Sequence, residues 1–241
     1  FTGSLYRLDD LVLDVPSLIA NLAHNLDGRC FVIDDYQLQK TTDDIYSLRA
    51  DSLEIQAQQF VLCGGEGNQE LLNQLGFAQP EQQLRPLQQV MIKHQYPFDF
   101  FGHCVGMDST PRLTISSHRL PAGERIWYLG GSLAEKGAHL SEDELIALAK
   151  SELTELIPWI NFEKAGWATL KINRAEPKQP GLIRPDNAFA EALPDTNICI
   201  GWPTKLTLAP NMANQILSLL EAKELKPLFN NRKADLHSLT P

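Results

Sequence analysis

ICIGWPTKLTLAP, residues 198 to 210, carries the decisive signal of this 241-residue chain. It reads as a buried strand that stops at Gly201 and turns, within a few residues, into a helix opened by Pro210. Such a turn leaves backbone N–H groups without helical partners. Together with the positive end of the helix dipole they favour an anionic or carbonyl-rich ligand nearby.

Outward from this stretch, Phe60 to Cys63 forms a second unbroken apolar strand, ending at Gly64 and Gly65, and helix resumes from Asn68 through Leu75 until Gly76 closes it. Upstream, Asp14, Val15 and Pro16 precede apolar residues at Leu18, Ile19, Leu22, Ala23 and Leu26, the pattern of a capped amphipathic helix closed by Gly28. A strand from Cys30 to Ile33 is expected next, and Ile45, Leu48, Leu53 and Ile55 punctuate a polar stretch as short antiparallel strands would.

From Pro86 to Leu133 the texture is alternation. Leu87, Val90 and Ile92, then Leu113 and Ile115, then Ile126 to Leu129 predict an antiparallel meander. Ser141 and Glu144 make a capping box for a long helix carrying Leu145, Leu148, Ala149, Leu153 and Leu156 and stopped by Pro158. A strand from Trp167 to Ile172 leads through a Pro-rich loop to the Ile198 strand and a last helix with Ile216, Leu217 and Leu220; from Asn230 onward the chain is polar and expected to fray. The fold class is therefore α+β, an antiparallel sheet with helices interrupting a layer of α/β type.

Twenty-one Lys and Arg against thirty Asp and Glu give a formal charge of −9, which repels phosphate backbones and anionic lipid, so no nucleic-acid partner is expected. Cys30, Cys63, Cys104 and Cys199 are far apart with no CxxC pair, which predicts buried reduced thiols and no metal site. No apolar run approaches the roughly 20 residues of a membrane span, and no signal-peptide pattern is present; a soluble cytoplasmic protein is expected. A hydrolase finds no support, since GxSxG, HExxH and paired-carboxylate motifs are absent.

Six pieces taken in order are familiar: FVLCGGEGN at 60 to 68, RPLQQVMI at 85 to 92, PRLTISSH at 111 to 118, WYLGGSLAE at 127 to 135, RAEP at 174 to 177 and GWPTKLTLAP at 201 to 210. Together they resemble the carboxy-terminal two thirds of the D-amino-acid-oxidase-like FAD-dependent oxidoreductases, the family of glycine oxidase and the flavin-linked glycerol-3-phosphate dehydrogenases. The family's opening strand, GxGxxG turn and helix, which hold the FAD pyrophosphate, have no counterpart here. With Phe1 as first residue, the expectation is a fragment or domain of a longer flavoenzyme, inactive alone, with FAD bound in the parent.

The resemblance implies a partial FAD-binding layer over 1–80, a substrate domain over 81–180, a return to the FAD layer over 181–230 and a polar tail over 231–241. It implies that Gly64 and Gly65 let backbone approach the cofactor, against the alternative of a turn that needs glycine only for its dihedrals. It implies that Gly201, Trp202, Pro203, Thr204, Lys205 and Leu206 line the pyrimidine edge of the flavin, where aligned N–H groups hold the negative charge that develops on reduction. Trp202 and Pro203 depart from the family's more glycine-rich turn, and Lys205 reads equally as a surface lysine.

Arg174 falls where the family has an arginine facing the flavin, suited to a substrate carboxylate or phosphate; pairing with Glu176 or another carboxylate is the alternative. Arg112, Thr114, Ser116 and His118 alternate on one strand face, with Arg112 and His118 candidate substrate contacts, or simply part of a wet sheet face. His103 is expected to be structural and Tyr128 to lie in the core. The implied activity is oxidation of a small polar amino-acid or hydroxy/phospho substrate by hydride transfer to flavin. The alternative is a non-catalytic substrate-binding or interaction module without bound cofactor.

Overall fold

The structure, a computed structural model, describes residues 3–9, 11–26, 29–41, 45–50, 53–108, 110–120 and 122–226. Its elements in chain order are α1 (Val15–His24), β1 (Gln37–Lys40), β2 (Tyr46–Ala50), β3 (Leu53–Gln56), β4 (Phe60–Leu62), α2 (Asn68–Gln74), β5 (Gln82–His94), β6 (Gly102–Cys104), β7 (Leu113–Arg119), β8 (Arg125–Gly130), α3 (Ser132–Gly137), α4 (Glu142–Leu156), β9 (Gly166–Pro177), β10 (Phe189–Ala192), β11 (Ile198–Trp202) and α5 (Ala209–Ala222). The chain is an α+β protein of two compact units, Phe1–Val12 with Pro86–Asn173, and Leu13–Arg85 with Arg174–Pro241. It passes from one to the other after Val12, inside β5 and again inside β9.

The first unit is built on a five-stranded sheet in the order β6-β7-β8-β5-β9, antiparallel where β6, β7, β8 and β5 pair. Alternation sends Val90, Ile92, Leu113, Ile115, Trp127 and Leu129 to one face, where they form a core with Leu133 of α3 and Leu145, Ala149 and Leu153 of α4. The capping box at Ser141 and Glu144 forms as expected and starts α4. In β5 the buried parity is that of Gln88, Val90 and Ile92, so Leu87 points the other way and Gln88 takes its expected place, donating to Thr169 Oγ1 at 2.8 Å. Tyr128 is likewise no core residue. Its neighbours Trp127 and Leu129 fill the core, so the pleat turns Tyr128 to the opposite face.

The second unit holds an antiparallel sheet β1-β2-β3 and a sheet in the order β10-β11-β4, in which β11 runs parallel to β4 and antiparallel to β10. All five residues of β11 are buried. Ile198, Ile200 and Trp202 meet Leu72 of α2, while Gly201 faces Met212 of α5; burial on both faces is why this strand reads as an unbroken apolar run. The strand does not stop at Gly201 but continues to Trp202, because β10, hidden in the Pro-rich loop, pairs Ala190 with Gly201 and Phe189 with Trp202.

Three further expectations need correction. Cys30 to Ile33 is not a strand; only Val32 makes an isolated bridge. The first helix forms with Pro16 in its opening turn, but the Asp14 carboxylate accepts from Ser17 Oγ (2.6 Å) rather than from a backbone N–H, and none of the helix residues is buried. Cys30 and Cys63 are exposed, and Cys199 is the buried thiol. The closing Gly28 and the polar tail lie outside the described residues.

Candidate functional site

The parallel register Ile198↔Phe60, Cys199↔Val61, Ile200↔Leu62 brings the carboxyl ends of β4 and β11 side by side. In open parallel sheets, ligands bind beyond this end of the strands. Gly64 and Gly201 therefore become neighbours, and one side chain ties them. Asn68, fully buried at the start of α2, accepts from Gly64 N at 2.7 Å and donates to Gly201 O at 3.2 Å. The first bend then makes a tight turn over Gly65–Gly67, closed by Gly67 N on Gly64 O at 3.0 Å, with Gly65 at φ 58°. That left-handed angle is a dihedral reason for glycine at 65.

The two bends differ in what lies against them. A Cβ on Gly65 or Gly67 would meet nothing within 4 Å, so the backbone there borders open space. At Gly201 a Cβ would come within 3.0 Å of Met212 Sδ and 3.2 Å of Phe189 O; glycine there serves packing against α5. Trp202 is fully buried, and its indole N–H donates to Gly65 O (3.2 Å) and Gln82 Oε1 (3.0 Å).

Pro203 to Leu206 are the accessible part of the second bend. Thr204 sits at φ 59°, a left-handed conformation that a β-branched residue rarely adopts, and its hydroxyl donates to Asn187 O at 3.1 Å. Strain of this kind, of order 1–3 kcal/mol, concentrates at functional turns. Lys205 is half-buried, its N–H bonded to Pro203 O, and Leu206–Leu208 tightens into α5 with Pro210 in its first turn.

The substrate candidates fall in both units, Arg112 and His118 in the first and Arg174 in the second. Arg112 lies one residue before β7, and its guanidinium is committed to helix α4, with Nε 2.5 Å from Glu152 and a two-pronged pair to Glu155 at 2.7 and 2.6 Å. It serves as a brace between strand and helix. Glu176, the alternative partner for Arg174, instead pairs with Arg85 through Nε at 2.6 Å and Nη2 at 2.8 Å, with Gln83 adding a bond at 3.3 Å. Burial pushes the Glu176 carboxyl up, but the hydrogen bonds from Arg85 and Gln83 and the charges of Arg85 and Arg174 outweigh it, so it titrates below its ordinary value. Arg174 Nε donates to Arg85 O at 3.5 Å.

On the sheet face of the first unit opposite α4, Thr114 and Ser116 are half-exposed and His118 exposed. Ser116 Oγ and His118 Nε2 are 3.2 Å apart, and the His118 ring meets Tyr128 edge-on at 4.6 Å. His103, exposed on β6, stands opposite Thr114. A cavity of about 660 Å³ lies around Asn197 and Lys223, and one of about 570 Å³ around Pro80 and Gly181 is lined in part by Phe189, the strand partner of Trp202. Among the described residues, no cluster of three or more metal-ligating side chains occurs and no helix is long and apolar enough to cross a membrane.

Sequence reasoning missed Asn68. The only signal was an Asn directly after a glycine-rich turn, where its side chain mimics backbone pairing.

No protein-family model matches the chain. It is 41% identical, over 94% of its length, to the probable FAD-dependent oxidoreductase PA4991 of Pseudomonas aeruginosa, and it covers 58% of that relative. The crystal structure of the FAD dependent oxidoreductase PA4991 from Pseudomonas aeruginosa superposes with a TM-score of 0.89 at 40% identity, over 96% of this chain and 63% of that one. The structure of iminodiacetate oxidase (IdaA) from Chelativorans sp. BNC1 aligns with a TM-score of 0.49 at 12% identity, over 86% of this chain and 52% of that one. The chain thus spans a little under two thirds of the relative it matches.

Proposed function

We propose that this chain is the carboxy-terminal part of an FAD-dependent oxidoreductase that oxidises a small polar substrate, an amino acid or a hydroxy or phospho compound. The observation that carries this reading is the meeting of the Gly64 and Gly201 bends at the carboxyl ends of two parallel strands, in a chain so similar to a probable FAD-dependent oxidoreductase. When bound, the flavin would supply the electron sink for a hydride lost from the C–H bond of an amine- or hydroxyl-bearing carbon.

The residues fit such a group at part of the expected surface. The open backbone at Gly65 and Gly67 and the accessible turn from Pro203 to Leu206 would hold it, whereas Gly201 and Trp202 face protein and support the turn from behind. The positive end of α5 and the Lys205 ammonium favour a ligand edge that carries negative charge. Arg174 is the proposed contact for a substrate carboxylate or phosphate. His118, with Nε2 3.2 Å from Ser116 Oγ, is a second candidate contact for a polar substrate group.

The test is to purify the complete natural protein, measure visible flavin absorbance, and mix it anaerobically with small amino acids, hydroxy acids and glycerol phosphate. The proposal expects a yellow protein whose flavin band bleaches with one of these classes, and slower bleaching in Arg174→Ala. A colourless protein that stays colourless with added FAD overturns the reading in favour of a binding module without cofactor.

A further inference from the structure

We infer that Asn68, Gln82 and Trp202 form a side-chain clamp that sets the peptide orientations of the Gly64–Gly67 turn, and that they are positioning residues for the ligand held there; this rests on the flavin reading above. The turn's hydrogen-bonding groups are taken up one by one from behind. Gly64 N–H goes to Asn68 Oδ1 (2.7 Å), Gly65 C=O accepts from Trp202 Nε1 (3.2 Å), and Glu66 C=O accepts from Gln82 Nε2 (3.0 Å). The three side chains are themselves anchored. Asn68 also donates to Gly201 O, Trp202 also donates to Gln82 Oε1 at 3.0 Å, and Gln82 N–H is held by Gln69 Oε1 at 2.8 Å.

A trans peptide fixes each N–H opposite the carbonyl before it, so fastening the carbonyls of Gly65 and Glu66 toward Trp202 and Gln82 decides which way the following amides point. Glycines at 64, 65 and 67 would otherwise leave the turn several conformations of similar energy. The clamp selects one of them before ligand arrives, and a preorganised turn binds more tightly than one ordered on binding. Asn68 and Trp202 are fully buried, so neither touches the ligand; both act through the backbone.

The experiment is FAD titration of the flavin-stripped complete protein, wild type against Trp202→Phe and Gln82→Leu, with Gln82→Glu as the conservative control. Trp202→Phe keeps an aromatic side chain but removes the N–H together with the second ring of the indole, so its packing loss is read separately in the unfolding midpoint. Gln82→Leu removes both side-chain bonds, whereas Gln82→Glu keeps the acceptor for Trp202. Each of the first two variants is expected to weaken FAD about tenfold, the worth of one net hydrogen bond, and to shift the visible flavin band, with Gln82→Glu closer to wild type. A purely structural role would lower the unfolding midpoint and leave the affinity and band of the folded protein unchanged. If wild type binds FAD and the folded variants bind it equally well with the same band, the clamp is refuted and the flavin reading stands. If wild type itself takes up no FAD, both fall together.

Discussion

Replacing Asn68 by Ala isolates the tie between the two bends. The substitution removes two hydrogen bonds, 2.7 Å from Gly64 N and 3.2 Å to Gly201 O, at a fully buried position. Gly201 is buried, so its carbonyl loses a partner that water does not readily replace, at a cost of about 1–3 kcal/mol. Gly64 is exposed; its N–H regains water, and only the net bond, about 1 kcal/mol, is lost there. The sum is about 2–4 kcal/mol. Urea unfolding, with the slope checked for constancy, should show this loss in the transition of the second unit. Asn68→Asp restores only the bond from Gly64 and buries a charge beside a carbonyl, so it should be no better tolerated than Ala. A loss under about 0.5 kcal/mol for Asn68→Ala, the size of an ordinary surface change, refutes the tie.

Glu176→Gln takes the negative charge out of the Arg85 pair while keeping one acceptor, and should cost about 1.5–3 kcal/mol in the same assay. Because the Glu176 carboxyl is held below its ordinary value, the pair's contribution is full above pH 4.5 and is lost as pH falls through the folded value; the variant should lack that acid-side loss. Burial, and then the charge of Arg125, pull His94 below its usual 6.5, so the unfolded chain binds the proton first. Stability of the first unit should fall as pH drops below 6.5 and level off beneath the folded value, and His94→Gln should flatten that slope in urea titrations across pH. Gly131→Ala places a Cβ 2.5 Å from Pro111 O at a φ of 76°, two faults that should together cost at least about 2 kcal/mol by thermal or urea unfolding.

What was legible in the sequence follows from how each element is buried. Strand β11 announced itself because both its faces are covered, and α4 because a capping box and a helical stripe agree. Strand β10 stayed hidden because FAEA is a four-residue edge strand among prolines, and α3 because SLAEKG is six residues with no side-chain cap. The parity of β5 was misread at Leu87 because a buried Gln88, satisfied on one side by Thr169, breaks the apolar alternation. The glycine bends were readable as local turns. Their tie through Asn68, and the clamp from Gln82 and Trp202, were not, since each depends on contacts between residues far apart in the chain. Arg112 looked like a pocket residue because its partners, Glu152 and Glu155, arrive from a helix forty residues on.

The central claim is that the two bends form one ligand wall, and hydrogen–deuterium exchange of the complete protein with and without its flavin tests it most directly. The account predicts that the amides of Gly64 to Gly67 and of Thr204 to Leu206 slow together when the flavin is restored. Protection at only one bend, or at neither while flavin is bound, contradicts it.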